Sequence, residues 1–234
     1  MPDFSSRSYE KELLDLPDIP FNDIKRNMQE LEFINTHLGG HRITLRGFKT
    51  LYGRINNRPL SVCEIGCGGG DNLKVIERWC RERNIPVRLL GIDINKECIT
   101  YAEDQCKEIR EKQFFVSDYR QLHFENDKPD IIFSSLFTHH LDDQEYLEML
   151  EWCNRNASSG FFINDLHRHF LAYYSIKLLT SLFSKSYLVK NDAPLSVRRG
   201  FTRPEINQLI GSSGIPRFEI QWKWAFRWLI IVKK

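Results

Sequence analysis

The chain has 234 residues, of which 41% are hydrophobic and 12% aromatic, enough to bury the core of one domain. Its formal net charge of +2 shows no excess of Lys and Arg of the kind that binds nucleic acid, so we expect no nucleic-acid partner. The polar, acidic start of the chain does not resemble a secretory signal, and no apolar run approaches the ~20 residues that cross a bilayer. We therefore expect a cytoplasmic protein.

The N-terminal region, residues 1–58, is predicted to form an extension and a helical lid in front of a domain at 59–234. Residues 3–20 are polar and contain prolines, and we expect them to lie extended over the surface. Apolar residues then recur at helical spacing over 21–38, and a second short helix is predicted at 41–52. These helices form a lid or brace beside a cleft, or they merely cover an edge of the sheet.

The central motif is Ser61–Asn72, with the sequence S-V-C-E-I-G-C-G-G-G-D-N. It predicts a strand, a tight glycine-rich loop and a helix, in which the glycines leave room for a ligand to lie on the backbone. A phosphate-binding loop would need a lysine after Gly70, and a dinucleotide loop would need a glycine where Asp71 stands. Both kinds of phosphate site are therefore disfavoured.

Further short apolar runs follow this motif and alternate with helical patterns. They predict strands buried on both faces at 87–93, 114–118, 131–135 and 160–165, with helices capped by Asn95 and by Asp142 with Glu145. This alternation predicts an α/β fold with a doubly wound, mostly parallel seven-stranded sheet, Rossmann-like, closed by an antiparallel hairpin at 217–224 and 226–232. Ligands of such sheets bind outside the carboxyl ends of the strands.

Residues 166–200 are predicted to be an insertion that caps the substrate. Within it, residues 170–183 form an apolar, aromatic helical segment. This segment is a roof over an apolar substrate pocket, a helix lying on a membrane surface, or a helix of the core. A further helix is predicted to begin near Thr202, where Thr202 and Glu205 form a capping box.

The six cysteines include no C-x-x-C pair and fall mostly in predicted strands and helices. We expect them to be buried thiols rather than disulfides or zinc ligands.

Two acidic residues follow predicted strands at the expected binding edge. Asp93 can accept hydrogen bonds from two neighbouring ribose hydroxyls, and the alternative of capping the next helix is better served by Asn95. Asp118 is the second of these residues, and a solvated loop residue is the alternative to a ligand contact there.

Glu64 with its glycines, Asp93, Asp118 and the stretch Asp130–Leu141, which ends in His-His-Leu, resemble the ordered motifs of class I S-adenosylmethionine-dependent methyltransferases. The likeness is greatest to the small-molecule branch of ubiquinone and menaquinone biosynthesis. It implies S-adenosylmethionine as cofactor, with Asp118 accepting from the adenine amino group and Ser117 or Tyr119 against the ring. It also implies contacts from residues of the loop and of the strand ends. Two residues at the start of the helix after the loop are also included. The full set of expected cofactor contacts is Glu64, Gly66, Cys67, Gly68, Asp71, Asn72, Asp93, Ile94, Ser117, Asp118, Tyr119, Ser134 and Leu136. The chain lacks the Asn-Pro-Pro-Tyr or Asp-Pro-Pro-Tyr strand of base and glutamine methylating enzymes.

His139 and His140 are the candidate catalytic residues. An acceptor that is a phenol or an activated carbon must lose a proton, and histidine titrates near neutrality. The alternative is that one histidine caps the helix beginning near Asp142 while the other hydrogen-bonds a neighbouring strand.

Contacts with the substrate are expected from Asp165, His167, Tyr173 and Arg199. We expect no metal ion, because one acid with His167 and His169 on a loop is a poor magnesium site. For Arg198 and Arg199, solvation is the alternative to pairing with an acidic substrate group.

The sequence thus predicts a methyltransferase that acts on oxygen or carbon of a small aromatic, polyketide-like or lipid-like acceptor. The alternative is an inactive S-adenosylmethionine-binding scaffold or partner subunit. We expect a monomer or homodimer, without stable membrane contact.

Overall fold

A computed structural model describes residues 2–16, 19–53, 55, 59–124 and 127–234. One mixed sheet has the strand order β3-β2-β1-β4-β5-β7-β6. The first five strands in this order are parallel, and β7 pairs antiparallel with both β5 and β6. Its strands are β1 (Leu60–Ile65), β2 (Val87–Asp93), β3 (Lys112–Val116), β4 (Ile131–Ser135), β5 (Gly160–Leu166), β6 (Phe218–Lys223) and β7 (Arg227–Lys233). Strands β2 and β3 extend the sheet on one side of β1 and strand β4 lies on its other side, so the strand order switches between β1 and β4 and a cleft opens at their carboxyl ends.

Helices cover both faces of this sheet. They are α1 (Phe21–His37), α2 (Gly40–Tyr52), α3 (Asp71–Arg81), α4 (Lys96–Gln105), α5 (Asp143–Asn156), α6 (Phe170–Phe183), α7 (Tyr187–Arg199) and α8 (Arg203–Ser212). Apolar residues of α2, α3 and α4 pack on one face, and those of α5 and α8 pack on the other. No helix in the described part of the chain is both long and apolar enough to span a membrane.

The two N-terminal helices have different positions. Helix α2 lies against the sheet, where a Cβ atom on Gly47 would come within 2.5 Å of the Phe162 ring, so glycine permits the close approach. Helix α1 lies over the cleft, with Met28 and Asn35 in its wall. The expected boundary after residue 58 falls at Arg58, which lies outside the described residues.

The expected strands, capped helices and closing hairpin are confirmed. Asn95 accepts a hydrogen bond from the Cys98 amide, and both capping boxes are formed. All six cysteines are buried free thiols.

Two local expectations were wrong, and one helix was missing from the predicted elements. The N-terminal segment does not lie over the surface throughout, since Arg7 and Glu12 are buried and Leu13–Asp15 forms a 3-10 turn; Pro17 and Asp18 of that prediction lie outside the described residues. Strand β3 is an edge strand, so Val116 is 53% exposed rather than buried. The missing helix is α7, which contains Pro194, a residue that disfavours helix interiors.

Candidate active site

A cavity of about 1560 Å³ lies at the carboxyl ends of the parallel strands. The glycine loop and the ends of β2 and β4 form one side. The N-terminal segment, α1, α6, α7 and the turn between the hairpin strands form the other. The volume exceeds the roughly 300–1,000 Å³ that one small ligand fills, so it can hold two ligands together.

The glycine loop is fixed by its backbone conformation. Gly66 has φ of +68°, and a Cβ atom there would lie 2.5 Å from the Phe137 ring. A side chain is therefore excluded by both strain and space. The Gly68 amide donates to Asp93 Oδ2 at 2.9 Å, which fastens the loop to the end of β2.

Beneath the loop, a buried chain of hydrogen bonds links β1 to the N-terminal helices. Asn72 Nδ2 donates to Glu64 Oε1 at 2.9 Å, and Thr44 Oγ1 donates to Asn72 Oδ1 at 3.0 Å. Burial, followed by the negative charge of Asp71, raises the pKa of Glu64 well above its ordinary value. The second oxygen, Glu64 Oε2, has no hydrogen-bond partner among the described residues.

Asp71, at the start of α3, faces the cavity and is held by two side chains from the N-terminal region. His41 Nε2 lies 2.7 Å from its Oδ2, and Asn35 Nδ2 donates to the same oxygen at 3.4 Å. Burial raises the pKa of this carboxyl, but the hydrogen bond and charge of His41 outweigh it and leave the pKa lowered.

The ends of β2 and β3 supply further polar groups. Asp93 accepts from the Asn95 amide in addition to Gly68, and burial raises its pKa. Asp118 caps the next turn and pairs with Arg120 at 2.6 Å, which lowers its pKa. Ile94 lies beside them in the cavity wall and is 75% exposed.

Tyr119 lies deeper, edge-on to Phe137 and Trp152. Burial raises the pKa of its hydroxyl, which has no hydrogen-bond partner in the part of the chain that is described. Leu136, after β4, adopts a left-handed backbone with φ of +55°, unusual for a branched residue. Its amide donates to Asn164 O, which holds this strained turn at the cavity wall.

His139 is buried between two carboxylates. Its Nδ1 lies 2.7 Å from Asp165 Oδ1 and its Nε2 lies 3.6 Å from Glu12 Oε1. Burial lowers the pKa of the ring, but the charges of Asp165 and Glu12 outweigh it and raise the pKa to about 9. Burial raises the pKa of Asp165, but the charge and hydrogen bond of His139 outweigh it and leave that pKa lowered.

His140 is more open, with 23% of its side chain exposed. Its Nδ1 lies 3.4 Å from Asp15 Oδ2 and its Nε2 lies 3.8 Å from Glu12 Oε2. Both histidines and Glu12 line the cavity.

Two buried arginines hold the turn that carries these histidines. Arg7 donates to the carbonyl oxygens of His139 and Leu141 and pairs with Asp143 at 2.8 Å. Arg199 donates to the carbonyl oxygens of His139 and His140. The N-terminal segment and α7 thereby fix the turn to the cavity wall.

Residues 62–160 match the family model described as a methyltransferase domain. This match covers less than half of the chain and identifies that stretch as a methyltransferase domain. The predicted family, enzyme class and cofactor, S-adenosylmethionine, are thereby confirmed. A search of curated proteins gave no match.

Solved structures of several methyltransferases share the fold. The plantazolicin methyltransferase BpumL, in complex with a pentazolic desmethylPZN analogue and SAH, is 18% identical, with 91% of this chain and 90% of that chain covered and a TM-score of 0.67. The magnesium protoporphyrin IX methyltransferase (ChlM) from Synechocystis PCC 6803 with bound SAH is 17% identical, with 86% and 87% covered and a TM-score of 0.57. The CMeT domain of the citrinin polyketide synthase is 14% identical, with 80% and 50% covered and a TM-score of 0.60. At these identities the likeness confirms the predicted fold class.

The methyltransferase site has features that fit this cofactor. The glycine loop leaves its backbone open to the cavity, and Tyr119 in the cavity wall has a hydroxyl without a protein partner in the described chain. Asp93 uses only one backbone donor on each oxygen, so each oxygen can accept a further hydrogen bond from a hydroxyl group.

The structure brings most residues expected at the cofactor into one wall of the methyltransferase cavity. Glu64, Ser117 and Ser134 lie behind that wall; Ser134 Oγ donates to Ile65 O, and Ser117 donates to the carbonyl groups of Asp93 and Asp118. The wall itself contains Gly66, Cys67, Gly68, Asp71, Asn72, Asp93, Ile94, Asp118, Tyr119 and Leu136.

The residues expected at the substrate are more dispersed. Asp165 is turned inward to His139, and Tyr173 packs edge-on against Phe4. His167 accepts from Trp222 Nε1, and burial with its charged neighbours lowers its pKa to about 4. Of the four, Arg199 alone lines the described cavity, and it is buried rather than solvated.

Sequence reasoning missed Arg7, Glu12 and Asp15 as parts of the methyltransferase site. They lie more than a hundred residues from the histidines in the chain, in a polar stretch without a motif. The available signal was one arginine and two acids among other polar residues, and it does not specify a partner.

Proposed function

We propose that this enzyme transfers a methyl group to oxygen, or to the adjacent activated carbon, of a small and largely apolar acceptor that carries an acidic hydroxyl group. One observation carries the proposal: Glu12, His139 and His140 form a polar cluster in the cavity wall, beside an apolar part of that wall on the side away from the glycine loop. That apolar wall includes Ile176, Leu179, Val189 and Phe226.

The size of the cavity supports an acceptor of aromatic, polyketide-like or lipid-like character. Its volume of about 1560 Å³ leaves room for such a molecule beside a cofactor. Ala172, Ile176 and Leu179 of α6 line it, in keeping with a roof over the acceptor. Only Ala172 and Thr180 of α6 are buried, so α6 is not a helix of the core.

Solved methyltransferases with this fold act on compounds of comparable chemistry. Their names identify plantazolicin, magnesium protoporphyrin IX and citrinin polyketide synthase. These are properties of those proteins, and they support a small-molecule acceptor for this one.

In this proposal, Asp93 and the amides of the glycine loop hold the cofactor, while Ile94 and Tyr119 flank its ring system. S-adenosylmethionine supplies an electrophilic methyl group on sulfur. The protein's main task is to align the acceptor and exclude water, which can lower the barrier by roughly 7–11 kcal/mol.

His140 is the group best placed to take the acceptor's proton. It is more exposed to the cavity than His139, whose ring is bound by Asp165 and whose side chain is only 3% exposed. Asp15 at its Nδ1 orients the ring with Nε2 toward Glu12.

Calorimetric titration with S-adenosylmethionine and S-adenosylhomocysteine, beside NAD, tests the cofactor. We expect micromolar binding of the first two ligands, about 100-fold weaker in Asp93→Ala, since hydrogen bonds to a charged group contribute about 1.5–3 kcal/mol each. Asp104→Ala, an exposed residue of α4, is the matched control and should bind normally. Absence of binding would contradict the proposal.

Turnover with phenolic and polyketide acceptors then tests the reaction. His140→Ala should lose turnover while cofactor affinity is unchanged. Cofactor binding without turnover on any such acceptor would instead favour the inactive scaffold.

Cytoplasmic location, a monomeric or homodimeric state, and the absence of stable membrane contact remain predictions.

A further inference from the structure

Three potential metal ligands converge on one point of the cavity wall. One side-chain atom from each of Glu12, His139 and His140 lies within 4.8 Å of the other two. The two histidine Nε2 atoms face the Glu12 carboxylate at 3.6 and 3.8 Å. Two imidazole nitrogens and one carboxylate oxygen are the donor set of catalytic zinc sites that leave a fourth position open.

A second, independent observation concerns the other nitrogen of each ring. Nδ1 of His139 is engaged by Asp165 at 2.7 Å, and Nδ1 of His140 lies 3.4 Å from Asp15. A carboxylate on the outer nitrogen is the usual partner of a metal-binding histidine, because it fixes the ring and raises the basicity of the inner nitrogen. Both rings therefore present Nε2 to the same point.

The surrounding charges favour a cation there. Glu12, Asp15 and Asp165 bring three carboxyl groups to the two rings. The nearest arginines, Arg7 and Arg199, are committed to carbonyl oxygens of the turn and to Asp143 and Asp15. The six cysteines are buried in the fold as free thiols, away from this donor set.

We propose that Glu12, His139 and His140 bind one Zn²⁺ ion, whose open position takes the hydroxyl oxygen of the acceptor. The oxygen coordinates the ion, its O–H bond breaks, the electron pair stays on oxygen and the proton passes to solvent. His140 is then a ligand rather than the base. The acceptor oxygen as fourth ligand rests on the proposed function. The binding of Zn²⁺ by the three side chains is independent of that function.

The sequence expectation of no metal considered a different set, Asp165 with His167 and His169. The structure separates these residues: Asp165 turns to His139, and His167 turns to Trp222. The proposed site uses Glu12 instead, and its two nitrogen donors suit zinc rather than magnesium.

The test is metal binding by tag-free, full-length protein that has been dialysed against a chelator. Calorimetry with Zn²⁺, and visible absorption after addition of Co²⁺, report stoichiometry and ligand type. We expect one equivalent of Zn²⁺ per chain. Glu12→Gln and His140→Gln should weaken binding by more than about 100-fold, and Asp15→Asn by about 10-fold, the range for an outer partner. Circular dichroism checks that each variant is folded.

His123→Gln is the matched control, because His123 is an exposed histidine outside the cluster. It should bind Zn²⁺ as the unaltered protein does. No binding near one equivalent, or equal binding by every variant, would overturn the zinc site and leave an ion-pair cluster with His140 as base. Cofactor titration of the same samples distinguishes the zinc proposal from the proposed methyltransferase function. If the cofactor still binds and methylation persists in the presence of a chelator, the zinc proposal is refuted and the methyltransferase function stands.

Discussion

The two sides of the cavity are built in different ways. The proposed cofactor side comes mainly from residues 60–119, with Leu136 after β4, and its polar side chains lie in the glycine loop, at the start of α3 or at strand ends. The acceptor side joins residues 7–15, the turn Thr138–His140, α6 and α7, which lie far apart in the chain. The difference teaches that chemistry common to a fold can reside in local motifs, whereas a specific acceptor site depends on long-range contacts.

The largest effect is expected on the cofactor side, from Gly66→Ala. The new Cβ would meet the Phe137 ring in a backbone with φ of +68°, which costs about 1–2 kcal/mol before the clash. We expect affinity for S-adenosylmethionine to fall by about 100-fold or more, measured by calorimetry. Gly211→Ala in α8, where nothing lies within 4 Å of the added atom, should bind normally. Equal affinities in the two variants would remove the backbone argument.

Arg7→Met should separate the two sides. It removes the hydrogen bonds to the carbonyl groups of His139 and Leu141 and the pair with Asp143, so the histidine turn loses an anchor. We expect turnover to fall roughly 10-fold, in line with one lost charged hydrogen bond, while cofactor affinity changes less than about twofold. Arg110→Met, at an exposed site, is the control. A parallel loss of cofactor affinity would show that the sides are coupled.

The smallest effect is expected from two neighbouring leucines of α6. Leu179 lines the cavity, whereas Leu178 is outside its described wall and is 60% exposed. Leu179→Ser should raise KM for an apolar acceptor roughly fivefold, because part of about 1.5–3 kcal/mol of apolar contact is lost. Leu178→Ser should leave KM unchanged. The opposite order would mean that the outer face of α6, rather than its cavity face, meets the acceptor.

Local rules predicted the elements where a side chain acts within its own segment. Asn95 capping α4, Glu205 in its capping box, and Asp93 at the end of β2 each depend on neighbours a few residues away. The same rules failed for α7, where packing retains Pro194 within a helix. They also failed for β3, because the exposure of an edge strand depends on its place in the sheet.

The histidine pair shows the limit of the sequence most directly. His-His-Leu after β4 gave the candidate catalytic residues, but not which groups would surround them. Asp165 was assigned to the substrate, yet it binds the His139 ring, and Glu12 was not assigned at all. Pairs of this kind are set by the packing of segments distant in sequence, and one sequence carries no local signal for them.

The sequence by itself determined the fold class, the glycine loop and the acidic residues of the cofactor side. Hydrophobic periodicity, glycine conformation and helix capping act over a few residues, and a doubly wound sheet then brings every strand end to one edge. Only the tertiary structure decided that the N-terminal segment turns back onto the cavity and places Glu12 and Asp15 against the two histidines. That contact depends on burying Arg7 and Arg199 against backbone carbonyl groups, an arrangement that forms only when the whole chain has packed.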